Sequence, residues 1–108
     1  MTWIEEYTEI KNMTEYMLQT EFDLKTDGIA STANQTIYID IETPPKTHIS
    51  IAKIDGRFKY IVGHNRETTH ILTEMGHGLG EWYSFDEMTK VIRRLYKKNE
   101  QISLFGVA

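Results

Sequence analysis

The side chains best suited to chemistry stand close together in the second half of the chain: His70, Glu74 and His77. On a helix their i, i+4, i+7 spacing would put all three on one face, where imidazole and carboxylate could hold a divalent metal. That spacing matches no zinc signature and lacks the paired HExxH geometry. It also needs a helix where Thr68, Thr69 and Ile71 favour a strand through their branched side chains. Polar histidines on a strand or loop are the simpler expectation, with no metal. The loop Gly76-His77-Gly78-Leu79-Gly80 has neither the GxGxxG spacing nor a Walker lysine, and Trp82-Tyr83 follows it in place of a helix start. Ser31, Ser50, Ser84 and Ser103 lie in no nucleophile-elbow pattern. Sixteen acidic residues single out no pair for acid–base work. No catalytic residue and no cofactor is expected.

Basic residues form a second cluster. Lys90, Arg93, Arg94, Lys97 and Lys98 share the polar side of a helix, a face that could lie toward DNA and bind it weakly or stand in solvent. Tyr96 and Trp82 could stack on bases there, although aromatics beside an apolar stripe more often join a core. The formal charge of −4 conceals this cluster. Residues 1–50 carry nine acidic and three basic side chains, residues 51–108 seven and nine. The mild acidity argues against a dedicated nucleic-acid coat protein. Absence of cysteine excludes a disulfide framework, a thiolate zinc site and a cysteine nucleophile, and it suits a reducing, cytoplasmic setting. No apolar run is long enough to span a membrane, and the acidic start (Glu5, Glu6, Glu9) is the opposite of a targeting peptide.

After the basic helix the chain closes with Gln101-Ile102-Ser103-Leu104-Phe105-Gly106-Val107-Ala108. Gln101-Ile102-Ser103-Leu104-Phe105 resembles the sliding-clamp-binding motif of bacterial replication and repair proteins, commonly Gln-Leu-Ser-Leu-Phe or Gln-Leu-Asp-Leu-Phe. Ile102 in place of leucine is the one departure. The resemblance covers five of 108 residues and implies that the partner is a bacterial sliding clamp, whose protein-binding cleft would receive the peptide. Such a segment can lay main-chain hydrogen bonds along a groove while Gln101 offers its amide and Leu104 and Phe105 fill an apolar pocket. The same residues also read as a last strand, with Ile102 and Leu104 on one face.

The elements that must carry these features are mostly plain. Thr2 with Glu5 forms a capping-box pattern, and Trp3, Tyr7, Ile10, Thr14 and Met17 recur at helical spacing through the first twenty residues. Asp27-Gly28 and Ser31 to Asn34 read as loop. Residues 36–42 alternate like a half-buried strand that Pro44-Pro45 ends. Residues 48–54 and 57–62 flank Asp55-Gly56, a strong hairpin signal. Residues 65–76 suit a fourth strand or a short helix capped by Asn65 and closed by Gly76, the strand being preferred. Ser84 with Glu87 opens a final helix whose apolar stripe is Phe85, Met88, Val91, Ile92 and Leu95.

The expected fold is α+β: one antiparallel sheet of three or four strands, with an N-terminal and a C-terminal helix and room for a further C-terminal strand. Residues 1–98 would form one domain and 99–108 a tail or last strand. The function expected is a non-catalytic accessory or regulatory protein of DNA replication or repair, of a size that suits a phage or mobile element. The alternative is an acidic protein–protein interaction module, inhibitor or immunity-type, whose C-terminal segment is structural.

Overall fold

The computed structural model describes the backbone of residues 2–107 apart from 32, 64 and 79, and the side chains up to residue 96. The elements follow in the order α1 (Trp3–Phe22), β1 (Thr26–Ser31), β2 (Thr36–Ile41), β3 (Thr47–Ile54), β4 (Arg57–Gly63), α2 (Arg66–Glu74) and α3 (Phe85–Val107). The four strands make one antiparallel sheet in the order β1-β2-β3-β4, the α+β arrangement expected. Among the described residues, no helix is long and apolar enough to cross a membrane.

The sheet is built on a period of two. Ile37, Ile39 and Ile41 of β2, Ile49 and Ile51 of β3, and Tyr60 and Val62 of β4 are buried on one face. Register aligns them in rows: Ile39 opposes Ile49, which opposes Val62, and Ile37 opposes Ile51, which opposes Tyr60. Burying each of these side chains contributes about 1.5–3 kcal/mol. The helices supply the opposite wall. Tyr7, Thr14 and Leu18 of α1, Ile71 and Leu72 of α2, and Met88, Val91, Ile92 and Leu95 of α3 are buried against it. At the hairpin end of the sheet, Trp3 stands edge-on to Tyr7 (5.4 Å between centroids) and Tyr7 edge-on to Phe58 (5.1 Å).

The local signals account for most boundaries. Thr2 caps α1, its hydroxyl accepting from the Glu5 amide at 3.3 Å, and Asp23 closes the helix in the left-handed region at φ 54°. Asp55 (φ 51°) and Gly56 (φ 79°) make the β3–β4 turn with the positive φ that such hairpins require. Pro44 and Pro45 lie between β2 and β3, joined by a cis peptide bond. Ser84 caps α3 through the Glu87 amide at 3.2 Å.

Two segments differ from expectation. Residues 26–31 form β1 instead of a loop, because pairing with β2 from Thr26↔Ile41 to Ser31↔Thr36 overrides the weak strand character of Asp27 and Gly28. Residues 66–74 form α2 instead of a strand. Asn65 Oδ1 accepts from both the amide and the hydroxyl of Thr68, at 2.8 and 2.9 Å. Thr69 and Thr73 turn their hydroxyls back onto the carbonyls of Asn65 and Thr69, at 3.0 and 2.9 Å. A helix accommodates threonine in this way, its hydroxyl bonded to the carbonyl one turn back, and the cap at Asn65 with the burial of Thr68, Ile71 and Leu72 decides for the helix. The fourth strand is therefore β1, not the segment after β4.

Two substitutions test this packing. Ile51→Ala should cost about 2–5 kcal/mol in denaturant unfolding, as a buried methylene deletion does. Asn65→Ala should cost about 0.5–2 kcal/mol, with protection from amide exchange falling first in α2.

Candidate functional site

The first half of α3 presents the expected basic face, and the three members whose side chains are described each have a partner in the chain. Lys90 Nζ is 3.4 Å from Glu87. The Arg93 guanidinium lies 5.8 Å from the centre of the Phe22 ring, at the end of α1. Arg94 pairs with Glu74 of α2, and Glu74 also meets His70 Nε2 at 2.8 Å. The Arg94 guanidinium, before His70, holds the Glu74 carboxyl below its usual range. Exposed pairs of this kind are weak and screened by salt, so they orient the basic side chains without fixing them. The side chains of Lys97 and Lys98, and of the clamp-like pentapeptide Gln101, Ile102, Ser103, Leu104 and Phe105, lie outside those described; the backbone there belongs to α3.

Tyr96 does not stand ready for a base. It is half-buried, and its hydroxyl donates to the Pro45 carbonyl at 2.7 Å, with the Thr43 carbonyl 3.3 Å away. It thus ties α3 to the β2–β3 turn. Burial raises its pKa from 10.0 to about 12.

The structure separates the three residues considered for a metal. His70 and Glu74 lie a turn apart on α2, whereas His77 comes after the helix and turns toward α3. Its ring stacks on Tyr83, centroids 5.0 Å apart, and its Nε2 meets Glu87 at 3.0 Å. Glu81 stands 3.9 Å from its Nδ1. Among the described residues no group of three His, Asp or Glu side chains is placed to hold a metal ion. The His77 contact, ahead of Lys90, lowers the Glu87 carboxyl pKa. The Ser84–Glu87 spacing is that of a capping box, but the Glu87 carboxylate serves His77 and Lys90.

His77 and its stacked neighbour form a joint. Tyr83 and Tyr60 exchange both backbone hydrogen bonds, at 2.8 and 3.0 Å. The Tyr83 hydroxyl accepts from the Val62 amide. Gly76 and Gly80, at φ 83° and 76°, take left-handed positions in the intervening loop. The crevice beside Tyr83, walled by Val62, Thr68, Leu72 and Glu81, has room for little more than a water molecule. It offers no recess for a substrate.

No protein-family model, curated protein or solved structure matches the chain. The surfaces available for function are the basic helix, the segment that follows it, and the exposed parts of α1 and the sheet. Sequence reasoning missed the Tyr83 joint. The only local hint was an aromatic residue directly before the Ser84 cap, and the bond to Val62 spans twenty-one residues.

Burial raises the Tyr83 phenol from 10.0 to about 12, against the lowering effect of the Val62 bond. A phenol more acidic in the unfolded chain stabilises the fold fully below about pH 10, and that contribution is lost as pH rises toward 12. Alkaline unfolding should therefore set in between these values, seen as tyrosinate absorbance rising together with loss of ellipticity. Tyr83→Phe leaves the Val62 amide without its acceptor and should cost about 1–3 kcal/mol at neutral pH, while making stability fall less steeply between about pH 10 and 12.

Proposed function

We propose that the chain is a small, non-catalytic accessory or regulatory protein of DNA replication or repair that docks on a bacterial sliding clamp through Gln101-Ile102-Ser103-Leu104-Phe105. The observation that carries this reading is the pentapeptide itself, with its terminal amide-bearing residue and its adjoining Leu104 and Phe105. Docking in a groove requires an extended main chain. The sequence around the motif makes extension cheap: Ile102 and Val107 are β-branched, Ser103 competes for backbone bonds, and Gly106 costs a helix about 1 kcal/mol relative to alanine. Leu95 and Tyr96 hold α3 to the body of the protein shortly before the motif, Leu95 in the core and Tyr96 on the β2–β3 turn.

On this reading the basic face has a secondary part. Lys90, Arg93 and Arg94 would exchange their exposed partners for phosphates of DNA threading the clamp, and Lys97 and Lys98 would add to them, an effect that falls steeply with salt. The pentapeptide carries no charge. Its docking would depend on apolar burial and hydrogen bonds, and little on ionic strength.

One observation favours the interaction-module reading. The solvent side of α1 exposes Met13 and Tyr16, the latter 69% accessible, with Glu9 exposed two turns before Tyr16. An exposed aromatic on an acidic helix suits a basic protein partner.

Titration against a purified bacterial sliding clamp decides between them. The intact protein should bind, and a variant carrying Gln101→Ala, Leu104→Ala and Phe105→Ala should bind at least about 30-fold more weakly, the loss of one anchor of about 2 kcal/mol or more. The variant's thermal midpoint should match that of the parent. No binding by the intact protein, equal binding by both, or unfolding of the variant overturns the clamp reading.

A further inference from the structure

The two edges of the sheet are treated differently. On β4, Tyr83 pairs with both backbone groups of Tyr60 and its hydroxyl takes the Val62 amide, so the middle of that edge is occupied. β1 lies at the other edge, and among the described residues no strand pairs with its outer side. An open edge is a row of donors and acceptors that another strand can complete. Proteins commonly guard such edges with charged side chains, lysine above all, with proline or with a bulge. Within Thr26–Ser31 the sequence is Thr-Asp-Gly-Ile-Ala-Ser, whose one charge is Asp27; Lys25 stands just before the strand, there is no proline, and its pairing with β2 runs without a bulge.

The register states which groups face outward. The Glu42 amide donates to the Lys25 carbonyl at 2.8 Å, in the same register as the β1–β2 ladder. Bonded pairs alternate along an antiparallel ladder. Asp27, Ile29 and Ser31 therefore bond to β2, and Thr26, Gly28 and Ala30 direct their amides and carbonyls to the open edge.

The side chains supply the rest. The sheet face away from the helices carries a row across all four strands: Ile29 opposes Tyr38, which opposes Ser50, which opposes Ile61. Ile29 is 63% exposed and Tyr38 39%. Asp27 and Asp40 occupy the next row. If Gly28 bonds to Ala30 of a second antiparallel copy, Ile29 meets its own counterpart and the apolar row continues across both sheets. The two Asp27 residues are then about 14 Å apart, beyond the screening length of about 8 Å at physiological salt. Shifting the register by two, so that Gly28 meets Gly28, sets Asp27 against Ile29 and brings the aspartates to roughly 8 Å. Hydrophobic alignment and charge select the same register.

We propose that two copies of this chain associate through β1, antiparallel about a two-fold axis, and so join their sheets into one. The association is independent of the clamp reading. It commits Gly28 and Ala30 to intermolecular bonds and Ile29 to the centre of the interface.

Sedimentation of the full chain over a wide concentration range tests the proposal, with amide exchange as a second readout. The mass should rise from 12.6 kDa toward twice that value, and the Gly28 and Ala30 amides should slow in exchange as the dimer fills. Ile29→Lys, on an exposed position that leaves the core untouched, places two cations face to face and should abolish the dimer while keeping the thermal midpoint that the parent shows at dilute, monomeric concentration. A parent that stays monomeric up to millimolar concentration overturns the proposal. So does a dimer in which Gly28 and Ala30 exchange as fast as in the monomer, whatever the behaviour of the variant.

Discussion

The second half of the chain depends on one joint, the place where Tyr83 meets β4. The stretch between α2 and α3 contains Gly76, Gly78 and Gly80 and has little local preference of its own. Tyr83 gives it a fixed address: two backbone bonds to Tyr60, a hydroxyl on the Val62 amide, and a ring stacked on His77. Ser84 follows at once and starts α3. The direction in which α3 leaves the sheet is thereby set, and with it the alignment of Met88, Val91, Ile92 and Leu95 beneath the buried rows of the strands. His77 reinforces the same joint from the other side by binding Glu87 in the first turn of α3. A histidine that resembled a metal ligand in sequence is a brace between a loop and a helix.

That joint also gives the sheet its asymmetry. Tyr83 occupies the outer backbone groups of Tyr60 and the amide of Val62, so a further strand would have to displace it on that side, whereas among the described residues no strand lies outside β1. The faces are unequal too. Isoleucines at alternate positions of β2 and β3 commit one face to the helices, and the period of two then forces Tyr38, Ser50 and Ile29 to the other. Helices cover only one face, which leaves the second as surface.

Much of this was legible in the residues. The caps at Thr2 and Ser84, the alternation in β2 and the Asp55-Gly56 turn are local signals, and each lies where local chemistry puts it. The misreadings occurred where non-local bonds outweighed local preference. At the centre of β1 stands Gly28, which lies against the Glu15 side chain of α1 and has no side chain of its own to mark a strand. In α2 the threonines suggested a strand, but their hydroxyls bond within the helix, and burial of Thr68 behind Asn65 fixes its start. The basic set on α3 was visible as residue types, while its pairing with Glu74 and Phe22 belongs to tertiary structure. Sequence could rank candidate chemistries; it could not place Tyr83 on Val62.

The division of charge between the halves of the chain takes a physical meaning from these contacts. The acidic first half and the basic α3 do not simply face each other, for Arg94 and Lys90 find their carboxylates in α2 and α3 themselves, and Arg93 lies on an aromatic ring of α1. A cation held beside a carboxylate contributes little to a long-range field, so the basic face attracts a polyanion less than its five members suggest. An ion pair at the surface is nevertheless easily exchanged, and a phosphate brought close by another contact can replace the carboxylate. Under the clamp reading that order of events is natural. An uncharged peptide would make the first, salt-insensitive contact, and the helix before it would meet nucleic acid only after the peptide had brought it near. Recognition would then reside in Gln101, Leu104 and Phe105, and the basic residues would adjust its strength without choosing the partner.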